Sequence, residues 1–312
     1  MGVAKLVAKV IALKLGVWKP DEGPTGTISP RYCYSIWLRH LVLAHAHGLP
    51  TNPRVLAELG PGHSLGVGLA AMICGANDYF ALDVCRDADI QRNVDVFDAL
   101  VELFRKREPI PDNAEFPRVR PFLASYDFPS EILTENRLVR AMDAQRLASI
   151  RRAIADLGQS HGGVRISYYV PYCDKSVVVE NSVDVILSQG VLLYVPDLAD
   201  SYAAIYRWLK PGGYMSSQID LTSLGLTSES YGHWMIPGYE WKLLTAIQPF
   251  SLNRLPISAH KAAMQAAGFE VAGIKCEKTT DTIDRRKLAR EFREMSDDDL
   301  TTASVFMQAV KR

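Results

Sequence analysis

The chain has no C-x-x-C pair and no H-E-x-x-H, and its seven histidines form no zinc pattern, so no metal site is signalled. Its five cysteines, Cys33, Cys74, Cys85, Cys173 and Cys276, are scattered, several of them in apolar runs. Reduced core thiols fit that pattern, and with them a cytoplasmic setting. An excess of one charge is also missing: Lys+Arg and Asp+Glu are 35 each in 312 residues. Nucleic-acid binders usually carry a basic excess, so that class is disfavoured. No apolar run approaches the ~20 residues that cross a bilayer, and neither an internal repeat nor a low-complexity segment is present.

What the chain does have is hydrophobic residue in quantity, 48% of the total, enough for one large α/β domain with additions or two small domains. The first stretch, MGVAKLVAKVIALKLGVWK, carries Lys9 and Lys14 too close together for a secretory signal. At helical spacing Lys5 and Lys9 lie opposite Leu6, Val7 and Val10, while Lys14 interrupts the apolar arc. Packing on its own domain or a partner therefore ranks ahead of contact between residues 1–18 and a membrane surface. Leu6 stands where a myristoylation signal needs Ser or Thr.

Organisation centres on Arg54–Asp83, RVLAELGPGHSLGVGLAAMICGANDYFALD. A short apolar run, a turn with Gly60 and Gly62, a small-residue helix over Leu65–Ile73 and a second apolar run ending on Asp83 make one βαβ unit. A dinucleotide fingerprint needs G-x-G-x-x-G, yet here Gly66 falls one residue late. Glu58, two residues before the first glycine, would repel a pyrophosphate and suits an ammonium or sulfonium. Glycines for close backbone approach, an acid before them and a second acid for a ribose diol describe a site for S-adenosylmethionine.

Around this unit the pattern predicts a helix over Arg31–His47, where Arg31 and Arg39 face solvent in preference to the ligand carboxylate, and another over Val94–Arg107. Proline-rich residues 109–135 follow, then a helix over Ala141–Leu157. More than 75 residues thus separate the second and third strands, a length typical of a cap or partner surface. Strands are expected at Val164–Val170, Ser182–Leu187, Tyr214–Asp220, Phe269–Cys276 and Ala303–Val310. Helices are expected at Leu198–Leu209, Ala259–Ala267 and, strongly charged, Ile283–Arg293. The division expected is an N-terminal helical extension, 1–53, and a main domain, 54–312, with 95–160 and 221–257 as cap and substrate regions.

Four features in order, ELGPG at 58–62, Asp83, SVDVILSQGVLLYV at 182–195 and WLKPGG at 208–213, resemble the class I S-adenosylmethionine-dependent methyltransferases. RYCYSIWLRHL, the long insertion, GHW and NRLP more weakly resemble bacterial methyltransferases found with cell-surface polysaccharide genes. The resemblance implies an α/β fold: a seven-stranded, mostly parallel Rossmann-like sheet with helices on both faces. It implies that Gly60 and Gly62 approach the methionyl part, Glu58 its ammonium and Asp83 the ribose hydroxyls. Asp174 falls where an acid meets the adenine amino group, and Ser188 and Gln189 lie beneath the sulfonium. Leu193-Tyr194 replaces the Glu-His that many relatives carry, and Tyr194, with an ordinary pKa near ~10, does not simply inherit the work of a basic histidine.

For the chemistry, His233 in the aromatic loop after strand five is the first choice as general base, with Asp220 close behind. Trp234, Tyr239, Glu240, Trp241, Asn253, Arg254 and His260 are further candidates to cover the cofactor. The expected activity is O-methylation of a hydroxyl on a saccharide or saccharide-linked small molecule. The alternatives are another small-molecule acceptor, or a methyltransferase-like scaffold that binds a partner and does no chemistry.

Overall fold

The computed structural model describes residues 26–171, 175–245, 251–281 and 283–312. The expected helix in 1–18, Cys173 and Asp174 lie outside the described residues.

Helix α1 (Pro30–Ala46) starts where Ser29 accepts a hydrogen bond from the Tyr32 N–H and Pro30 supplies a preset first turn. Then come β1 (Val55–Leu59), α2 (Gly66–Ile73), β2 (Asp78–Leu82) and α3 (Ile90–Lys106). Helices α4 (Glu135–Ala141) and α5 (Ala144–Ala155) precede the two-residue β3 (Ser160–His161) and β4 (Val164–Tyr169). Next are β5 (Val183–Gln189), α6 (Leu198–Trp208), β6 (Leu209–Asp220), α7 (Gly238–Thr245) and α8 (Ile257–Ala266). The chain closes with β7 (Glu270–Lys278), α9 (Asp297–Thr301) and β8 (Thr302–Val310).

The sheet has eight strands in the order β3-β4-β2-β1-β5-β6-β8-β7. That corrects the expected seven: Gly162-Gly163 folds a short hairpin, and β3 adds an antiparallel edge to β4. The core of the sheet, β4-β2-β1-β5-β6, is parallel, whereas β8 runs antiparallel to both β6 and β7. Parallel character is therefore confined to the half that carries the crossovers.

Helices cover both faces. One apolar cluster joins Trp37 and Leu41 of α1, Leu69 and Met72 of α2, Phe97 and Leu100 of α3 and Ile150 of α5 to β1, β4 and β5. The insertion contributes Ile110, Phe116, Val119, Leu123, Ile132 and Leu133 to that same core. The other face gathers Tyr202, Ile205 and Trp208 of α6 with Ile257 and Met264 of α8. Three expectations change. Residues 135–141 are helical, because Thr134 caps them. The helix over Ile283–Arg293 is absent from the described residues there; two single 3-10 turns, Arg285–Lys287 and Arg290–Phe292, stand in its place. Arg39 does not face solvent: it is fully buried and donates to the carbonyls of Pro111, Val119 and Pro121 and to Ser35 Oγ. One guanidinium thus pins the proline-rich loop to α1, using donors that five N–H groups supply. Arg31 pairs with Glu115 at the surface.

Leu65 stands where a dinucleotide motif would place its third glycine, and the close helix–strand contact falls to Gly68. A Cβ on Gly68 would stand 2.1 Å from the Tyr79 ring, so Gly68 is what lets α2 lie on β2.

Candidate functional site

The carboxyl ends of β1, β2, β4 and β5 meet at one end of the sheet, where open α/β folds form their ligand crevice. The turn after β1 places Gly60 at φ +64° and Gly62 at φ +73°, left-handed conformations that glycine adopts without a side-chain clash. A Cβ on Gly60 would also stand 2.5 Å from Cγ2 of Val191. Close packing from the loop after β5 is therefore an additional reason for glycine there.

Asp83 sits just beyond β2, buried, with its carboxylate turned back to this turn. Oδ2 accepts from the Gly62 N–H at 3.2 Å, and Oδ1 from those of Val84 at 2.7 Å and Cys85 at 3.3 Å. A carboxylate has about four acceptor positions, so Oδ2 retains one. Glu58 is fully enclosed and accepts from the Tyr79 hydroxyl at 2.5 Å. Burial raises its pKa to about 7, against the opposing effects of the Tyr79 and Gly68 hydrogen bonds. Near neutrality this carboxyl is partly protonated, and a cation nearby would favour its charge.

Strand β5 delivers the third component. In register with β1, Ser188 lies beside Leu59, and its Oγ is buried without a hydrogen-bond partner among the described residues. Such a hydroxyl at a strand's carboxyl end suits a ligand atom. Gln189 is fixed instead by protein: its amide donates to the Arg120 carbonyl at 3.1 Å and its Oε1 accepts from His40 Nε2 at 3.0 Å. His40 is neutral, its pKa pushed down to about 4 by burial, and its Nδ1 accepts from Ser216 Oγ at 2.7 Å. Tyr79, His40, Arg120 and Ser216 gave no sequence signal. They come from β2, helix α1, the insertion and β6, and only folding brings them to Glu58 and Gln189.

A second group assembles beyond β6. Asp220, Leu193, His233, Asn253 and Arg254 line one cavity of 10 Å³, about the room of a single water. The segments are tied by Asn253, whose amide donates to the carbonyls of Leu192 and Val195. Arg254 donates to those of His233 and Ile236. Asp220 accepts from the Thr222 N–H at 2.8 Å. His233 is 2% exposed, its Nδ1 lacks a partner among the described residues, and burial, then Arg254, drives its pKa down to about 3. Tyr194 is 37% exposed; desolvation and then the charge of Asp220 raise its pKa to about 12.

Other candidates lie elsewhere. Trp234 stacks on Tyr231 at 5.3 Å inside a small core, and Trp241 packs under Arg254 at 4.7 Å. Tyr239 donates to Glu240 at the surface. His260 is buried between α6 and α8, 3.1 Å from the Tyr202 hydroxyl.

Residues 141–217 match the family model described as "Methyltransferase domain". The match includes Ser188 and Gln189 and leaves out the glycine turn and Asp83. No curated protein matches the chain. Among solved structures, an S-adenosylmethionine-dependent methyltransferase from Mesorhizobium loti is 14% identical, with 87% of this chain and 97% of that one covered and a TM-score of 0.40. One from Methanosarcina mazei is 11% identical, covering 86% and 96% with a TM-score of 0.44. Geranyl diphosphate C-methyltransferase from Streptomyces coelicolor is 12% identical, covering 87% and 77% with a TM-score of 0.43. Likenesses this distant say nothing of substrate. Among the described residues no helix is long and apolar enough to cross a membrane. The domain match supports a methyltransferase domain over residues 141–217, with S-adenosylmethionine as the cofactor.

Proposed function

We propose that the chain is an O-methyltransferase whose acceptor is a hydroxyl of a saccharide or saccharide-linked small molecule. The observation that best supports a cofactor crevice at this end of the sheet is the orphaned Ser188 Oγ beside the Gly60–Gly62 turn and the one open position on Asp83. When bound, S-adenosylmethionine supplies a methyl group on a cationic sulfur, already activated for in-line displacement. The chain's residues then have to bind, align and exclude water. Asp83 Oδ2 accepts from a ribose hydroxyl, Glu58 lends negative charge from within, and Ser188 with the His40-held Gln189 orients the amino-acid end. Asp174 is assigned to the adenine amino group.

On the acceptor side, Asp220 takes the hydroxyl proton and Tyr194 donates a hydrogen bond to the acceptor. A histidine whose pKa is about 3 holds a proton poorly at pH 7. His233 therefore serves as a positioning residue, lining the same cavity as Asp220. The saccharide assignment is supported by the likeness of RYCYSIWLRHL, GHW and NRLP.

The test combines binding and turnover. S-adenosylhomocysteine should raise the melting temperature of the wild type and of Asp220→Asn alike. Transfer to a hydroxylated saccharide should fall about 100-fold or more in Asp220→Asn, the range of a lost acid/base group. A variant that still turns over normally would remove Asp220 from the chemistry. The packing of Val191 on Gly60 favours a second reading, a scaffold with a closed crevice; absence of any cofactor-induced shift would establish it.

A further inference from the structure

The opposite end of β1 carries a different kind of site. There a solvent-open cavity of about 510 Å³ is lined by Arg54, Arg137, Arg140 and Arg146, with Asn52 and Asn77, and by no acidic residue. That volume lies within the usual range for small-molecule pockets, and four guanidiniums give it a charge of four in a chain whose net charge is zero.

Two of the four arginines are held in place. Arg137 donates to the carbonyls of Cys74, Ile132 and Thr51. Arg146 donates to Asn77 Oδ1 and to the carbonyls of Met72 and Ala76. Met72, Cys74 and Ala76 form the carboxyl end of α2 and the turn after it, where partial negative charge favours cations. A guanidinium has five N–H donors, so each anchored arginine keeps two in reserve in a fixed geometry. Arg54 and Arg140 stand at the exposed rim. No ion pair to any of the four is found among the described residues. Burial lowers the pKa of both Arg137 and Arg146, and for Arg146 the charge of Arg54 adds to the effect. Like charges are held together here with nothing acidic between them.

Capping α2 accounts for Arg137 and Arg146 but not for Arg54 and Arg140; Arg140 donates only to the Asn136 carbonyl of its own helix α4. We propose that this cavity binds the phosphoryl group of a phosphorylated small molecule, between the two anchored guanidiniums and the two at the rim. Planar guanidiniums recognise phosphate oxygens bidentately, and anchored ones lose little entropy on binding. The site sits at the amino ends of the strands, so it is separate from the crevice at their carboxyl ends. Four guanidiniums gathered in one pocket suit a compact phosphoester better than an extended nucleic-acid backbone.

The experiment is calorimetry on the full-length protein with inorganic pyrophosphate, sulfate and a short single-stranded oligonucleotide, repeated with the Arg54→Glu/Arg140→Glu variant. Both substitutions are at exposed positions, and an unchanged melting temperature and S-adenosylhomocysteine affinity would show that the fold is intact. Pyrophosphate should bind more tightly than sulfate, and the double variant should lose at least about tenfold in affinity, as expected when two charge-assisted contacts become repulsive. A second variant, Arg140→Ala alone, should lose less. Equal binding of pyrophosphate by the wild type and the double variant would overturn the assignment, as would no binding by the wild type. An oligonucleotide that binds more tightly than pyrophosphate would overturn the small-molecule class.

Discussion

The two ends of β1 make opposite electrostatic environments from the same five-residue strand. At the carboxyl end Glu58, Asp83 and an unpartnered Ser188 hydroxyl surround a glycine turn. At the amino end Arg54 opens a pocket of four arginines. Composition averages these to zero, and the lesson is that net charge reports on bulk partners such as nucleic acid and is silent about local sites. A positively charged cofactor and a negatively charged ligand can be served by one chain without either site being visible in the sum.

The contrast breaks most sharply through Glu58. Its pKa is raised from 4.5 to about 7 by burial, so the folded state binds more protons than the unfolded one between those values. The contribution of Glu58 to stability is therefore full below about pH 4.5 and is lost as pH rises to about 7, by roughly 3 kcal/mol in total for a fully buried group. Denaturant unfolding of the cofactor-free protein across this window should show the decline, and Glu58→Gln should remove it. A slope identical in the two proteins would mean that Glu58 is already charged in the fold.

Next in size is Asp83→Ala. Removal of a carboxylate that accepts a charge-assisted hydrogen bond should weaken S-adenosylmethionine binding by about 2 kcal/mol, or roughly thirtyfold, by calorimetry. Affinity within a factor of two of wild type would move the ribose elsewhere. A smaller effect, about 1–3 kcal/mol of stability, is expected from Gly60→Ala, which combines a left-handed backbone with a Cβ 2.5 Å from Val191. Pairing it with Val191→Ala should recover the steric part only. Full recovery would show that the backbone conformation costs nothing, and no recovery that the contact with Val191 is irrelevant.

Legibility in the sequence followed the range of the interaction. The βαβ unit around Gly60 was readable because its period, its turn glycines and its terminal acid are contiguous, and the helix at Pro30–Ala46 was readable from its apolar stripe. The charged segment at 283–293 looked helical from composition yet forms two short turns. There Arg285 donates to the carbonyls of Arg293 and Met295, and Leu288 packs on Trp234 and Tyr231. Arg39 illustrates the same limit. On a helical stripe it reads as a solvent-facing charge, whereas three carbonyls from the loop 107–134 meet it in the interior.

The sequence alone determined the α/β class, the order of helices and strands through most of the chain, and the turn, acid and strand ends that form the crevice. These depend on local periodicity and on residues close in sequence. Tertiary structure alone decided that Gly68 is the glycine beneath which Tyr79 packs, that Glu58 spends its hydrogen bond inside the core, and that four separated arginines converge at the amino ends of the strands. Each of those outcomes depends on which surfaces come into van der Waals contact and which charges lose their water, and neither is encoded within one window of the chain.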